Sequence, residues 1–173
     1  MKLLDKLRRD RPPPDVTAAL DSSDRLLSWA ATTDGAFIVA SRRGLRLPDA
    51  RFVPWHRIDK AVWREGVLQL TEAGEVEPGV MVALSPVTIA LAEPRNLPSV
   101  VQTRVTQSVA HTSHRTLPDG RGAVRIVARR VTGQDGLEWS LRYESGADRH
   151  DADVRDAAEQ LLADTKAATT PAE

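Results

Sequence analysis

Closely spaced turn signals constrain this chain more than any other feature. "TTDG" at 32–35, "RRG" at 42–44, "PD" at 48–49, "EG" at 65–66, "AGEVEPG" at 73–79 and Ser85-Pro86 cut the first half into short apolar pieces. Asp34-Gly35 between two apolar runs is a strong hairpin signal, because a two-residue turn of matching twist needs positive φ. The pieces between the turns are too short for ordinary helices and suit strands. "AFIVAS" reads as a buried strand, and Leu45 and Leu47 share one face of the next. The first half is therefore expected to be an antiparallel run of strands.

The segment "FVPWHRIDKAVW", 52–63, is the least regular of these. Pro54 cannot donate to a ladder, so it marks an edge or a bend. Alternation sets Phe52 and Ile58 apart from Val53 and Trp55. We expect Phe52 and Ile58 in the core and Trp55 partly exposed, with one of Trp55 and Trp63 buried and the other nearer the surface. An exposed Trp beside a bent edge strand is the kind of residue that anchors a partner. Trp55, His56, Arg42 and Arg43 are accordingly the candidate partner-binding residues.

After Pro94 the pattern changes. Leu97, Val101, Val105 and Val109 recur at i, i+4, which predicts a helix over 96–114 with Asn96 as N-cap and Pro98 in its first turn. "AVRIVARRV" and "LEWSLRYES" predict a hairpin around "TGQDG". In its second strand Leu137, Trp139, Leu141 and Tyr143 alternate with polar residues. Val154, Ala158, Leu161, Leu162 and Thr165 give the last helix one apolar face. The expected fold is α+β: an antiparallel, partly barrel-like sheet with a mid-chain and a C-terminal helix. Residues 1–20 read as a basic arm and proline linker, 21–166 as a single domain, and 167–173 as a disordered tail.

Composition excludes several functions. Apolar residues make up 41% of 173 residues and aromatics only 4%, so Val, Leu, Ile and Ala must fill the interior. Lys plus Arg and Asp plus Glu balance at 24 each, which argues against charge-driven nucleic-acid binding. With no cysteine, thiolate catalysis, disulfides and Cys-ligated zinc are impossible. No apolar run approaches the roughly 20 residues of a membrane helix, and "MKLLDKLRRDRPPP" lacks a signal peptide's apolar region. A cytoplasmic location is expected. The arm Met1–Arg11 carries five bases against two acids, which suits weak contact with an anionic membrane surface. Another protein is the expected main partner.

No enzyme motif is present: no G-x-S-x-G, Walker loop or strand-led G-x-G-x-x-G. His111 and His114 fall in the last turn of the predicted helix, where His⁺ suits the dipole, and this explains them better than a metal does. Asp148, His150, Asp151 and Asp153 precede the last helix, where capping accounts for the carboxylates. Arg129 and Arg130, adjacent in a strand, point to opposite faces and form no phosphate patch. A non-catalytic protein without cofactor or metal is expected.

The run Leu26–Leu70 resembles the bacterial pleckstrin-homology-like, or GRAM-like, pattern through "VASRRGLRL" followed by "FVPWHRID", an apolar-Pro-Trp-x-x-Ile strand. The resemblance implies a barrel-like sheet and a binding role. Lipid-binding members of that superfamily place Lys and Arg in the first hairpin loop. Here the loop is "ATTDG", and phosphoinositide binding is not expected. The whole chain is also similar to a group of actinobacterial proteins through "WSLRY", "GADRHDAD" and the last helix, a likeness that implies no activity.

Overall fold

The computed structural model describes residues 11–169. Along the chain run helix α1 (Pro14–Ala18), strands β1 (Leu26–Thr32), β2 (Phe37–Ser41), β3 (Gly44–Arg46), β4 (Phe52–Pro54), β5 (Ile58–Arg64), β6 (Val67–Glu77), β7 (Val80–Ala83) and β8 (Val87–Glu93). Helix α2 (Leu97–Ser108), strands β9 (Val109–Thr116), β10 (Ala123–Arg130) and β11 (Leu137–Tyr143), and helix α3 (Ala152–Thr169) complete it. The chain is α+β, and its pairings are antiparallel apart from one parallel bridge between β7 and β11. None of the described helices is long and apolar enough to cross a membrane.

Where the sequence reads as one body, the contacts gather into two compact units. The first comprises residues 1–72 and 85–106, the second 73–84 and 107–173. One boundary falls at an interruption of the pattern. Ser85-Pro86 separates β7 from β8, and the two strands go to different units. Helix α2 then ends near the second crossing.

In the first unit the strand order is β4-β3-β2-β1-β8-β6-β5, with α2 following β8. β4 and β5 do not pair, so the sheet is open, not a closed barrel. The Asp34-Gly35 turn joins β1 to β2 as expected, with Gly35 at φ 86°. The core gathers Ile38, Leu45, Val53, Trp55, Ile58, Leu68, Leu70, Ile89 and Leu91 under Leu97, Val101 and Val105 of α2. Each fully buried Leu or Ile contributes about 1.5–3 kcal/mol relative to exposure. The proline segment belongs here too: Pro13 and Pro14 open α1, and Val16 is fully buried. Residues 1–10, which carry most of the basic arm, and residues 170–173 of the expected tail lie outside the described residues. Helix α3 itself runs on to Thr169.

The second unit joins the end of β6 to β7, β11, β10 and β9, and lays α3 on the sheet. Val124, Ile126 and Leu141 meet Val154 and Ala158, with Trp139, Tyr143, Leu161 and Leu162 partly buried around them. The inward reading of Trp139 and Tyr143 therefore agrees with the packing. Leu137, at the strand's first position, is exposed.

Helix α2 stops six residues earlier than the spacing predicts. Leu97, Val101 and Val105 are buried as the stripe requires, but Val109 begins a strand that pairs with β10 from Val109 to Thr116. "VAHTSHRT" is rich in β-branched and short polar residues, which weaken a helix and suit a ladder. Two arginines take up the helix end. Arg129 Nη1 donates to Ser108 Oγ at 2.7 Å. Arg130 Nη1 donates to the carbonyls of Gln107 and Val109 at 3.0 and 3.1 Å. At the other end Asn96 does not act as a side-chain cap. Its Oδ1 accepts from Ser28 Oγ at 2.6 Å, tying the helix entry to β1.

Candidate functional site

The opening of the β2–β3 turn begins with Ser41. Its Oγ accepts from Gly44 N and donates to Gly44 O, at 3.2 and 3.1 Å. This short ring of bonds throws Arg42 and Arg43 to the tip, where both are exposed and make no side-chain bond among the described residues. Gly44 is required by close approach: a Cβ there would stand 2.4 Å from the Val53 carbonyl.

Trp55 secures the turn from beneath. Pro54 breaks the ladder, and Trp55–Arg57 curl into one 3₁₀ turn before β5 starts. The turn resets the alternation. Val53 and Trp55 do share a face, as the sequence indicates, but that face is the core. Trp55 is 3% exposed and donates Nε1 to the Ser41 carbonyl at 3.0 Å. Phe52 is 42% exposed. The expectation for these two residues is reversed, while Ile58 is buried as expected. The split between the tryptophans does hold, with Trp63 only partly buried. Trp55 is therefore an anchor of the core and not of a partner. His56 is half-buried in the 3₁₀ turn.

Phe52 takes over the surface role. It lines a cleft of about 290 Å³ with Arg43, Arg46, Val39, Leu20 and Asp24. Arg46 lies with its guanidinium 5.7 Å from the Phe52 ring centre, within cation–π range. Its Nη1 donates to the Ala50 carbonyl at 2.9 Å, while Nε is buried without a bonding partner. One wall thus offers two guanidinium groups and an aromatic ring. The loop after α1 contributes Asp21 and Asp24.

A second cleft, about 270 Å³, opens beside the β1–β2 hairpin loop and the 47–49 loop. Asp34 and Asp49 line it, and no base does. The Thr32 hydroxyl and the Ala36 backbone hold the Asp34 carboxyl below its ordinary range. Hydrogen bonds from Arg51 do the same for Asp49. Two ionised carboxylates at this mouth repel a phosphate.

The remaining candidates lie elsewhere in the fold. His111 and His114 sit in β9, not in a helix end, and odd spacing puts them on opposite faces. His111 lies against Trp139 with ring centres 5.8 Å apart, and His114 pairs with Glu144. Asp151 Oδ1 accepts from the N–H groups of Asp153 and Val154 at 2.9 and 3.3 Å, the capping arrangement expected at the start of α3. No cluster of three or more His, Asp or Glu among the described residues could hold a metal.

Of the four residues singled out in the sequence, Arg43 lines the cleft, Arg42 flanks it in sequence, and Trp55 supports it from the core. Arg46 and Phe52 were missed. Their signal was the pairing of Arg46 with Phe52 across the β3–β4 hairpin, which depends on a register that the Pro54 bend obscures. No family model, curated protein or solved structure matches the chain.

Proposed function

We propose that the chain is a non-catalytic protein-binding module whose first unit is pleckstrin-homology-like. A four-strand meander (β1 to β4) and a three-strand group (β5, β6, β8), followed by a helix, support that fold. The observation that carries the binding role is Phe52, 42% exposed beside Arg46 and Arg43 over a cleft. Exposed aromatic and arginine side chains around a concavity have the composition of interface hot spots. The partner that fits is a protein segment presenting an apolar side chain to the Phe52 cleft and a carboxylate to Arg43. The acidic second cleft speaks against a phosphoinositide as ligand.

The test is fluorescence anisotropy with capped nine-residue peptides carrying a central leucine or phenylalanine flanked by glutamate or by lysine. The glutamate set is expected to bind, and Phe52→Ala and Arg43→Glu to weaken it by roughly tenfold each. Binding that neither variant alters, or binding to phosphoinositide vesicles in its place, would overturn the proposal.

A further inference from the structure

Each sheet edge in the first unit is guarded. β4 has three residues and ends in Pro54. β5 carries an irregularity between Ile58 and Lys60, with Lys60 exposed. Short strands, proline, bulges and lysine are the usual defences against unwanted strand pairing. β9 in the second unit has only one of them, a bulge at its start beside Val109. It is eight residues long, has no proline, and stands last in the strand order, paired only with β10. The one irregularity of that pairing lies near Val109, and His111–Thr116 are in regular register. Arg130 occupies the Val109 carbonyl. Beyond it, no described group outside β10 bonds the backbone of Ala110–Thr116.

The side chains of this edge are biased in charge. Residues 109–116 include His114 and Arg115 and no acid. His114 stands directly opposite Arg125, which stands directly opposite Arg142, so bases meet across three strands. Like charges so placed oppose one another. Glu144 bridges the first two, accepting from Arg125 Nη2 and His114 Nε2 at 2.6 Å each. The row ends at the open edge without a carboxylate beyond His114. On the other face of β9, His111 Nε2 and Ser113 Oγ are buried without a hydrogen-bond partner, a condition that calls for a missing group. An added strand would set a side chain within about 5.5 Å of each, Cβ to Cβ.

We propose that β9 is a docking edge that takes an extended acidic segment of a partner protein as an added strand. Eight residues span about 27 Å, enough to pair the full edge. Backbone bonds supply the affinity, and Asp or Glu beside His114 and Arg115 supplies the selectivity. A second copy of the chain fits less well, because β9 against β9 brings only bases together. The proposal rests on the protein-binding reading, but on a unit that does not contain the Phe52 cleft.

The test uses the full chain, isotopically labelled, and a capped eight-residue peptide of valine and threonine with two adjacent glutamates, one for the His114 face and one for the Arg115 face. Its controls are the lysine counterpart and a backbone N-methylated glutamate peptide. The glutamate peptide is expected to shift the amides of Ala110–Thr116 and slow their exchange, and both controls to do neither. Arg115→Glu, at an exposed side chain, should weaken the glutamate peptide roughly tenfold and admit the lysine one. Arg43→Glu should leave this binding unchanged. Equal binding of both charges, tolerance of N-methylation, or protection of β9 that arises from a concentration-dependent dimer without peptide would overturn the proposal. If β9 fails while the Phe52 cleft binds its own peptides, only the added-strand proposal falls. If both fail, the protein-binding reading falls with it.

Discussion

The two units share one chain and one class of secondary structure, yet they bury and expose different things. The first holds 15 Lys and Arg against 11 Asp and Glu, the second 9 against 13. The neutral total thus conceals one basic and one acidic unit, and an argument from net charge sees neither. Their cores differ as well. The first unit encloses bulky side chains between its sheet and α2. The second relies on a smaller set, with Ala158 and Val154 of α3 on Val124, Ile126 and Leu141, rimmed by half-buried aromatics. Large interior side chains make a unit costly to perturb, and small ones leave a sheet whose edge and outer face stay available. The two proposed sites follow that division: a cleft among packed strands in the first unit, an open strand edge in the second.

Trp55 offers the sharpest way to break this contrast. Trp55→Ala removes a fully packed ring and its bond to the Ser41 carbonyl, and it should cost about 3–5 kcal/mol. Urea melts followed by circular dichroism will measure it. A cost below about 1 kcal/mol would mean that the first core is far looser than its burial indicates. Next comes Ile126→Ala in the second unit, expected at about 2–4 kcal/mol because the site lies between β9, β11 and α3. If the units unfold separately, each variant moves its own transition and leaves the other in place. A single transition moved by both would show that the units share one cooperative fold.

Asp151→Ala should cost about 1 kcal/mol through loss of the α3 cap. Phe52→Ala is expected to be smaller still, within about 0.5 kcal/mol of wild type, because its ring lies at the surface. Its effect belongs to binding. Should Phe52→Ala prove as costly as Trp55→Ala, the exchange of roles between the two aromatics would be wrong.

Much of the architecture was legible in the sequence because it rests on local signals. Asp34-Gly35 fixed a hairpin, the alternation around Trp139 fixed a half-buried strand, and the face of Val154, Ala158 and Thr165 fixed the last helix. What escaped depends on pairing between distant residues. Val109 continues the helical spacing of Val101 and Val105, yet β10 claims it as a strand, and the ladder outweighs the periodicity. The candidate cleft was half legible. Arg42 and Arg43 stood out as an exposed turn, but a single 3₁₀ turn after Pro54 reversed Phe52 and Trp55. Alternation holds only within an unbroken strand, so one proline was enough to turn the surface aromatic into the core one and the reverse. The division into two units left still less trace, since β6 and α2 each run through a boundary without a change of pattern.

The smallest effect tests the charge row of the second unit. Burial pushes the Glu144 carboxyl up, but hydrogen bonds and charge from Arg125 and His114 outweigh it, and the group sits below its ordinary value of 4.5. A carboxylate depressed in the folded state stabilises the fold above its unfolded pKa, and that contribution fades as pH falls through the folded value. The stabilisation is therefore present at neutral pH and is lost in acid, below about pH 4.5. Glu144→Gln keeps the shape and removes the charge. Its melting temperature should lie below wild type at pH 7 and converge with it toward pH 3, with the gap reduced in high salt because both partners are about half exposed. The same variant leaves His114 and Arg125 facing each other without the carboxylate that bridges them. The glutamate peptide should then gain affinity for β9, since more of the row's positive charge is left for it to neutralise. A gap in melting temperature that persists unchanged to pH 3 would show that Glu144 contributes by packing and not by charge, and the row of bases would then have to be held together by something other than this carboxylate.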